Sequence, residues 1–244
     1  MASCYIRTPV QYFHQYRVWY LRYSVGHRMT LTLYYIEASP PVRSTLMAIK
    51  ALGLEVELKR VDLPGGEHLK PEYLKINPLH TVPTLADGDF IVWDSHAINC
   101  YLVDKYAKDD SLYPKDLQKR ATVNQRLYFD CGVLWNAGLT VLGAILRQGA
   151  KSVSKENEEK ALNGYTSLET LLEKSPYLAG NSVTIADFSA VTTITSLAIL
   201  VPISAEKFPK IAAWIKKMEK LPYYKEGNQE GLEILDRFVK TKLA

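Results

Sequence analysis

A few short stretches of this chain carry residue types that can do chemistry. Ser39 stands directly before Pro40-Pro41. Proline has a fixed φ and no donor, so a Pro-Pro pair suits the first turn of a helix. Val42, Leu46, Ile49 and Leu52 then recur at helical spacing. Ser39 therefore lies at a helix N-terminus, where unpaired N–H groups and the positive end of the dipole favour an anion. Its hydroxyl has two uses there, as a cap for the helix or as a donor to a bound anion. Asp94-Ser95-His96 places an acid and a hydroxyl at the start of a second helix, which a plain cap also explains. Val82-Pro83 is a candidate cis peptide; that geometry would turn the chain and leave the Val82 backbone free to pair with a ligand. His68 and His80 stand in polar loops and by themselves suit solvated or turn-stabilising roles.

These residues need elements to hold them. Leu31 to Ile36 is short, apolar and rich in β-formers, a buried strand. Gly53 ends the helix that follows Ser39, and Val56, Leu58 and Val61 alternate within a second strand over 55–62. Strand, helix and strand at this spacing form a βαβ unit with a parallel pair. Residues 71–76 predict a short helix, and Asp87-Gly88-Asp89 a tight hairpin turn into Phe90-Ile91-Val92-Trp93. Proline at 83 excludes an ordinary central strand through Val82. Near residue 110 the pattern changes from α/β to all-α, with helices expected over 117–147, 156–172, 184–201 and 209–220. Thr184 and Asp187 have capping-box spacing at the head of the third of these. Trp135, Leu139, Leu142 and Leu146 recur on one helical face, the pattern of a pocket wall and equally of a core stripe.

Composition narrows the class. The 244 residues suffice for one large or two small domains, and 47% hydrophobic with 23% charged residues is ordinary for a globular chain. No apolar run approaches the ~20 residues of a membrane span, so no membrane partner is expected. Cys4, Cys100 and Cys131 are widely spaced with no C-x-x-C, against a disulfide framework or a zinc site and in keeping with a reducing compartment. The net charge of +4 resides in residues 1–28, which hold Arg7, Arg17, Arg22 and Arg28 and no acid. The remainder is neutral, without the basic surplus of a nucleic-acid footprint. Residues 1–28 also carry seven aromatic side chains with no clear period, and lack the apolar core of a secretory signal. They are expected to form a disordered extension upstream of a fold beginning at Met29.

Five motifs, taken in order, resemble one family. Ala-Ser-Pro-Pro-Val-Arg (38–43), Gly-Glu-His-Leu (66–69), Asn-Pro-Leu-His-Thr-Val-Pro-Thr-Leu (77–85), Asp-Ser-His-Ala-Ile (94–98) and Thr-Ile-Ala-Asp-Phe (184–188) resemble the cytosolic glutathione transferases of the insect delta and epsilon classes. His96 and the run Leu221-Pro222-Tyr223-Tyr224-Lys225 favour epsilon. The resemblance implies a thioredoxin-like α/β domain over 29–110 that binds glutathione, followed by an all-α domain over 117–244 that lines the second-substrate site.

By resemblance, Ser39 stabilises the glutathione thiolate and His68 and His80 face the glycine carboxylate. Val82 pairs its backbone with the cysteinyl unit, helped by cis-Pro83. Asp94 and Ser95 hold the γ-glutamyl end, with His96 nearby. The pocket for the second substrate falls by position on Trp135, Gly138, Leu139, Leu142, Gly143 and Leu146, opposite Pro41 and Leu63. The implied enzyme is a cytoplasmic homodimer that conjugates glutathione, a co-substrate rather than a cofactor, to small apolar electrophiles in detoxification. Peroxidase or dehydrochlorinase side activity fits the same site, and neither metal nor nucleic acid is expected. A thiol-disulfide oxidoreductase would need a cysteine where Ser39 stands. The rival from another class is a non-catalytic carrier of apolar ligands such as steroids.

Overall fold

The computed structural model describes residues 31–244; the expected extension over 1–28 and the start of the fold at Met29 lie outside the described residues. The described residues begin with β1 (Leu31–Tyr35), α1 (Pro40–Leu52) and β2 (Val56–Arg60). β1 and β2 are parallel, as the βαβ spacing predicts, with Leu33 opposite Leu58 and Tyr35 opposite Arg60. A 3₁₀ turn at Glu67–Leu69 and the single helical turn α2 (Pro71–Leu74) lead to β3 (Thr84–Asp87) and β4 (Phe90–Trp93). The sheet order is β2-β1-β3-β4, with β3 antiparallel to both β1 and β4. α3 (Ser95–Tyr106) closes this half. Leu31, Leu33 and Leu85 of the sheet, Ile49 of α1 and Ile98 and Leu102 of α3 form its core. β2 is shorter than the alternation over 55–62 predicts and largely exposed, Leu58 included. Among the described strands it lies at the edge, so alternation there does not report a buried face.

The second half is helical: α4 (Leu117–Phe129), α5 (Trp135–Leu146), α6 (Lys155–Leu172), α7 (Ile185–Leu197), α8 (Pro209–Met218) and α9 (Glu230–Leu243). α4 and α5 are one continuous 30-residue helix, interrupted by a π turn at Asp130–Leu134. By length and composition it would cross a membrane, but 44% of its most apolar window is buried inside the protein, the packing of a core helix. α7 is buried along its whole length. The capping box forms as the spacing predicts: Asp187 accepts from the Thr184 N–H, and also from Leu178 N–H and Trp214 Nε1. A second π turn, Lys225–Gln229, and α9 extend the chain beyond the helices read from its pattern. Gly227 and Gly231 lower helix propensity over that stretch, and packing supplies what propensity lacks.

α1 belongs to both halves. Ile49 enters the sheet core, while Met47 and Ala48 enter the core of the helical half. Its start is set by Pro40-Pro41 and its end by Gly53, which takes φ 65° and donates back to the last carbonyls.

Candidate functional site

Strand register brings the predicted residues to one end of the sheet. Tyr34 pairs with Thr84, and Thr84 with Trp93. The Ser39 loop after β1, Val82-Pro83 before β3 and Asp94 after β4 therefore all emerge at that end. Tyr35 opposite Arg60 brings the loop of Leu63 and His68 to the same edge.

Ser39 is half-buried at the N-terminus of α1, and its hydroxyl makes no capping hydrogen bond within the described residues. The capping use open to it from sequence is not the one adopted. The Val82–Pro83 bond is cis, and Val82 precedes the first ladder pair of β3. Asn77, fully buried, holds this loop by donating from Nδ2 to the Thr81 carbonyl at 3.0 Å, and Tyr73 donates its hydroxyl to the same carbonyl at 2.6 Å. His80 adopts φ 47°, and its ring lies 6.0 Å from that of His68. His68 Nδ1 is buried without a partner among the described residues. Two separate loops thus bring their imidazoles together.

Asp94 takes φ 73°, rare for a residue with a Cβ. Its Oδ1 caps α3 by accepting from the His96 and Ala97 N–H groups at 2.8 and 3.3 Å, while Ser95 is buried. His96 bridges two carboxylates, through Nδ1 to Asp94 at 3.2 Å and through Nε2 to Asp130 at 2.9 Å. Burial alone would push its pKa down, but the bonds and charges of Asp130 and Asp94 outweigh it and raise the value to about 10. His96 is therefore an imidazolium at neutral pH. Burial opposes ionisation of Asp94 too, yet His96 and the α3 N–H groups hold its carboxyl below the usual range.

The apolar residues come from the other half. Leu142 of α5 packs with Leu235 and Val239 of α9, joined by Leu146 and by Ala38, the neighbour of Ser39. Leu142 is buried, Leu139 is 38% exposed, and Trp135, Gly143, Pro41 and Leu63 are half-buried. Gly138 faces Thr193 and Trp135, and a Cβ at Gly143 would meet open space. A separate cleft of about 360 Å³, between the end of α6 and α8, is lined by Lys174, Lys210, Lys217 and Trp214 and by none of the residues at the sheet end.

Comparison with known proteins decides the family. Residues 29–104 match the model of the glutathione S-transferase N-terminal domain, and residues 133–222 that of its C-terminal domain. Glutathione S-transferase 1 of Manduca sexta is 44% identical over 218 residues, 88% of this chain and 100% of that protein. The chain belongs to the glutathione S-transferase family.

Among solved structures, an epsilon-class glutathione S-transferase from the housefly, Musca domestica, superposes with a TM-score of 0.85 at 48% identity. It covers 87% of this chain and 98% of its own. A glutathione transferase homologue from Drosophila mojavensis with bound glutathione matches at 47% identity, with a TM-score of 0.85 over 87% of this chain and 97% of its own. The insect delta/epsilon type and the thioredoxin-like plus all-α architecture expected from the motifs both hold. Sequence reasoning missed two residues that support the transferase's site. Asp130 gives a signal only in retrospect, as the single acid between residues 117 and 155. Asn77 lies within a quoted motif, but nothing in the pattern marks its side chain as buried.

Proposed function

We propose that this transferase joins the thiolate of glutathione to small apolar electrophiles, with Ser39 as the hydroxyl that stabilises the thiolate. One observation carries the reading: the polar sheet end and the apolar cluster of α5 and α9 meet at Ala38, beside Ser39. Residues 29–110 then bind glutathione and residues 117–244 line the second site. His68 and His80 take the glycine carboxylate, and Val82, presented by cis-Pro83, pairs with the cysteinyl unit. Asp94 and Ser95 take the γ-glutamyl end. Asp94 Oδ1 is committed to the helix cap, leaving Oδ2 for the ammonium, while His96 orients the carboxylate. Pro41, Leu63, Trp135, Gly138, Leu139, Leu142, Gly143 and Leu146 surround the electrophile.

The nucleophile belongs to the co-substrate. A free thiol titrates near ~8.5, so only a few per cent is thiolate at neutral pH. Lowering that value by ~2 units requires ~2.7 kcal/mol of preference for the anion. A hydrogen bond from Ser39 to the charged sulfur supplies ~1.5–3 kcal/mol, and the start of α1 adds a little. The thiolate then forms its bond to carbon as the leaving group departs with its electron pair. By the same thiolate, proton removal from a chlorinated substrate and reduction of a hydroperoxide are accessible side reactions. We place the enzyme in the cytoplasm as a homodimer, on the family's pattern, and sedimentation of the purified protein tests the assembly.

Ser39→Ala tests the chemistry. Glutathione is gripped through groups remote from its sulfur, so binding should change little. Loss of ~1.5–3 kcal/mol implies a rate drop of roughly ten- to a hundredfold near neutral pH with a generic aryl halide, partly recovered at higher pH. Ultraviolet titration of bound glutathione should show the thiol pKa rising toward its free value. An unchanged value overturns the role of Ser39, and absent turnover in the wild type favours the carrier reading.

A further inference from the structure

Arg43, the last residue of the Ala-Ser-Pro-Pro-Val-Arg motif, has no part in the site described so far. It lies one turn along α1 from Ser39, and its N–H closes the helix's first hydrogen bond to the Ser39 carbonyl at 3.0 Å. At 1.5 Å rise per residue the two Cα atoms are about 6 Å apart along the axis. The Arg43 side chain is fully buried. Its Nη1 donates to Asn228 Oδ1, and its Nη2 to Ser196 Oγ and, at 3.4 Å, to the Thr192 carbonyl. Nε has no partner, and the guanidinium forms no ion pair among the described residues.

A buried charge is ordinarily paired. Here the described groups that hold the guanidinium are neutral, Thr192 and Ser196 from α7 and Asn228 from the second π turn, with Gly231 of α9 against the side-chain stem. Among the described residues, Tyr224 is the one titratable group acting on it. The packing that excludes water is close. A Cβ on Gly231 would come within 2.2 Å of the Glu37 carbonyl and 2.6 Å of Arg43 Cδ, and one on Gly227 within 2.7 Å of Met47 Cγ. Only glycine lets the C-terminal segment seal this seam. Two other charged side chains near the sheet end do have ion-pair partners, Glu37 with Arg60 and His96 with Asp94 and Asp130.

We propose that Arg43 is a positioning residue for charge, a buried cation without a counter-ion among the described residues, that favours the thiolate of bound glutathione over the thiol. The inference rests on the reading that the sulfur lies at Ser39. The Arg43 side chain is fully buried, and its Cδ and the Glu37 carbonyl, two residues before Ser39, both meet the same point on Gly231, so its charge is poorly screened from this end of α1. Burial lowers the pKa of Arg43 to about 9, so the guanidinium is charged at neutral pH yet gains from an anion nearby. A purely structural cross-tie between α1 and the C-terminal segment would use the same hydrogen bonds but would not need an unpaired charge.

Asn228→Asp separates the two roles in the full-length protein. It keeps the bond to Nη1 and adds a counter-ion, so a structural tie should be preserved or strengthened while the field at the sulfur is cancelled. We expect the thiol pKa of bound glutathione, read by ultraviolet titration, to rise by on the order of one unit. The rate near neutral pH should fall about tenfold, with the melting temperature unchanged or higher. Arg43→Met should raise the thiol pKa similarly while lowering the melting temperature; should it fail to fold, Asn228→Asp still decides. An Asn228→Asp protein of wild-type thiol pKa, beside a Ser39→Ala protein whose value has risen, overturns the role of Arg43 and leaves that of Ser39 standing. The reverse result overturns Ser39 as activator and sustains Arg43.

Discussion

The two sides of the site are held by different means. At the sheet end, His80 and Asp94 sit at positive φ, the Val82–Pro83 bond is cis, and buried Asn77 and Tyr73 tie the Thr81 carbonyl in place. On the other side, Leu142 and Leu146 are placed by contact with Leu235 and Val239 of α9, with ordinary helical backbone throughout. On the proposed function, a fixed tripeptide with a charge at each end needs donors and acceptors at set positions, which backbone geometry and buried polar ties would provide. Apolar electrophiles need volume and shape, which tolerate side-chain exchange at small cost. The difference predicts that changes on the polar side act on chemistry and on pH response. Changes on the apolar side should act on stability where a residue is spent on packing, and on substrate range where it is exposed.

The largest effect on folding should come from Leu142→Ala. Leu142 is 6% exposed and knits α5 to α9, so its truncation should cost about 2–5 kcal/mol. Denaturant melts would show it; a loss below about 1 kcal/mol would mean that α9 does not depend on this contact. Next comes Asp130→Asn, which removes the charged partner of His96 and should cost about 2 kcal/mol near neutral pH.

The pH dependence of that loss carries more information than its size. His96 titrates near about 10 when folded and at an ordinary value of 6.5 when unfolded. Its contribution is therefore complete below pH 6.5 and drains away as pH rises toward 10. Asp130→Asn should flatten this decline, bringing mutant and wild-type stability together at high pH. Parallel curves would place the stabilisation elsewhere. The smallest effect on folding, within about 0.5 kcal/mol, should follow Leu139→Arg, because Leu139 is exposed. That change should weaken apolar electrophiles while leaving glutathione affinity intact. If KM for an apolar substrate is unmoved, Leu139 lies outside the pocket.

Much of the polar side was legible. Pro-Pro after Ser39 announced a helix start, Gly53 its end, and Val-Pro an irregular entry to β3, because these residues act through their own backbones. Asp94 as the head of α3 followed from the same local logic. Asp130 was not legible, since its pairing with His96 spans 34 positions and depends on a π turn that no local pattern announces. α9 was obscured by Gly227 and Gly231, which look like helix breakers and serve instead as points of close approach.

The sequence by itself determined the βαβ start, the hairpin, the all-α second half and the family, because these rest on periodicity, turn chemistry and ordered motifs. Tertiary structure decided which of the stripe Trp135, Leu139, Leu142 and Leu146 faces α9 and which faces solvent. It decided that the Ser39 hydroxyl is not spent on a cap. It also left Arg43 with its charge buried and no acid against it among the described residues. Each of these depends on partners far away in the chain, and burial and field are properties of the packed neighbours rather than of the residue that feels them.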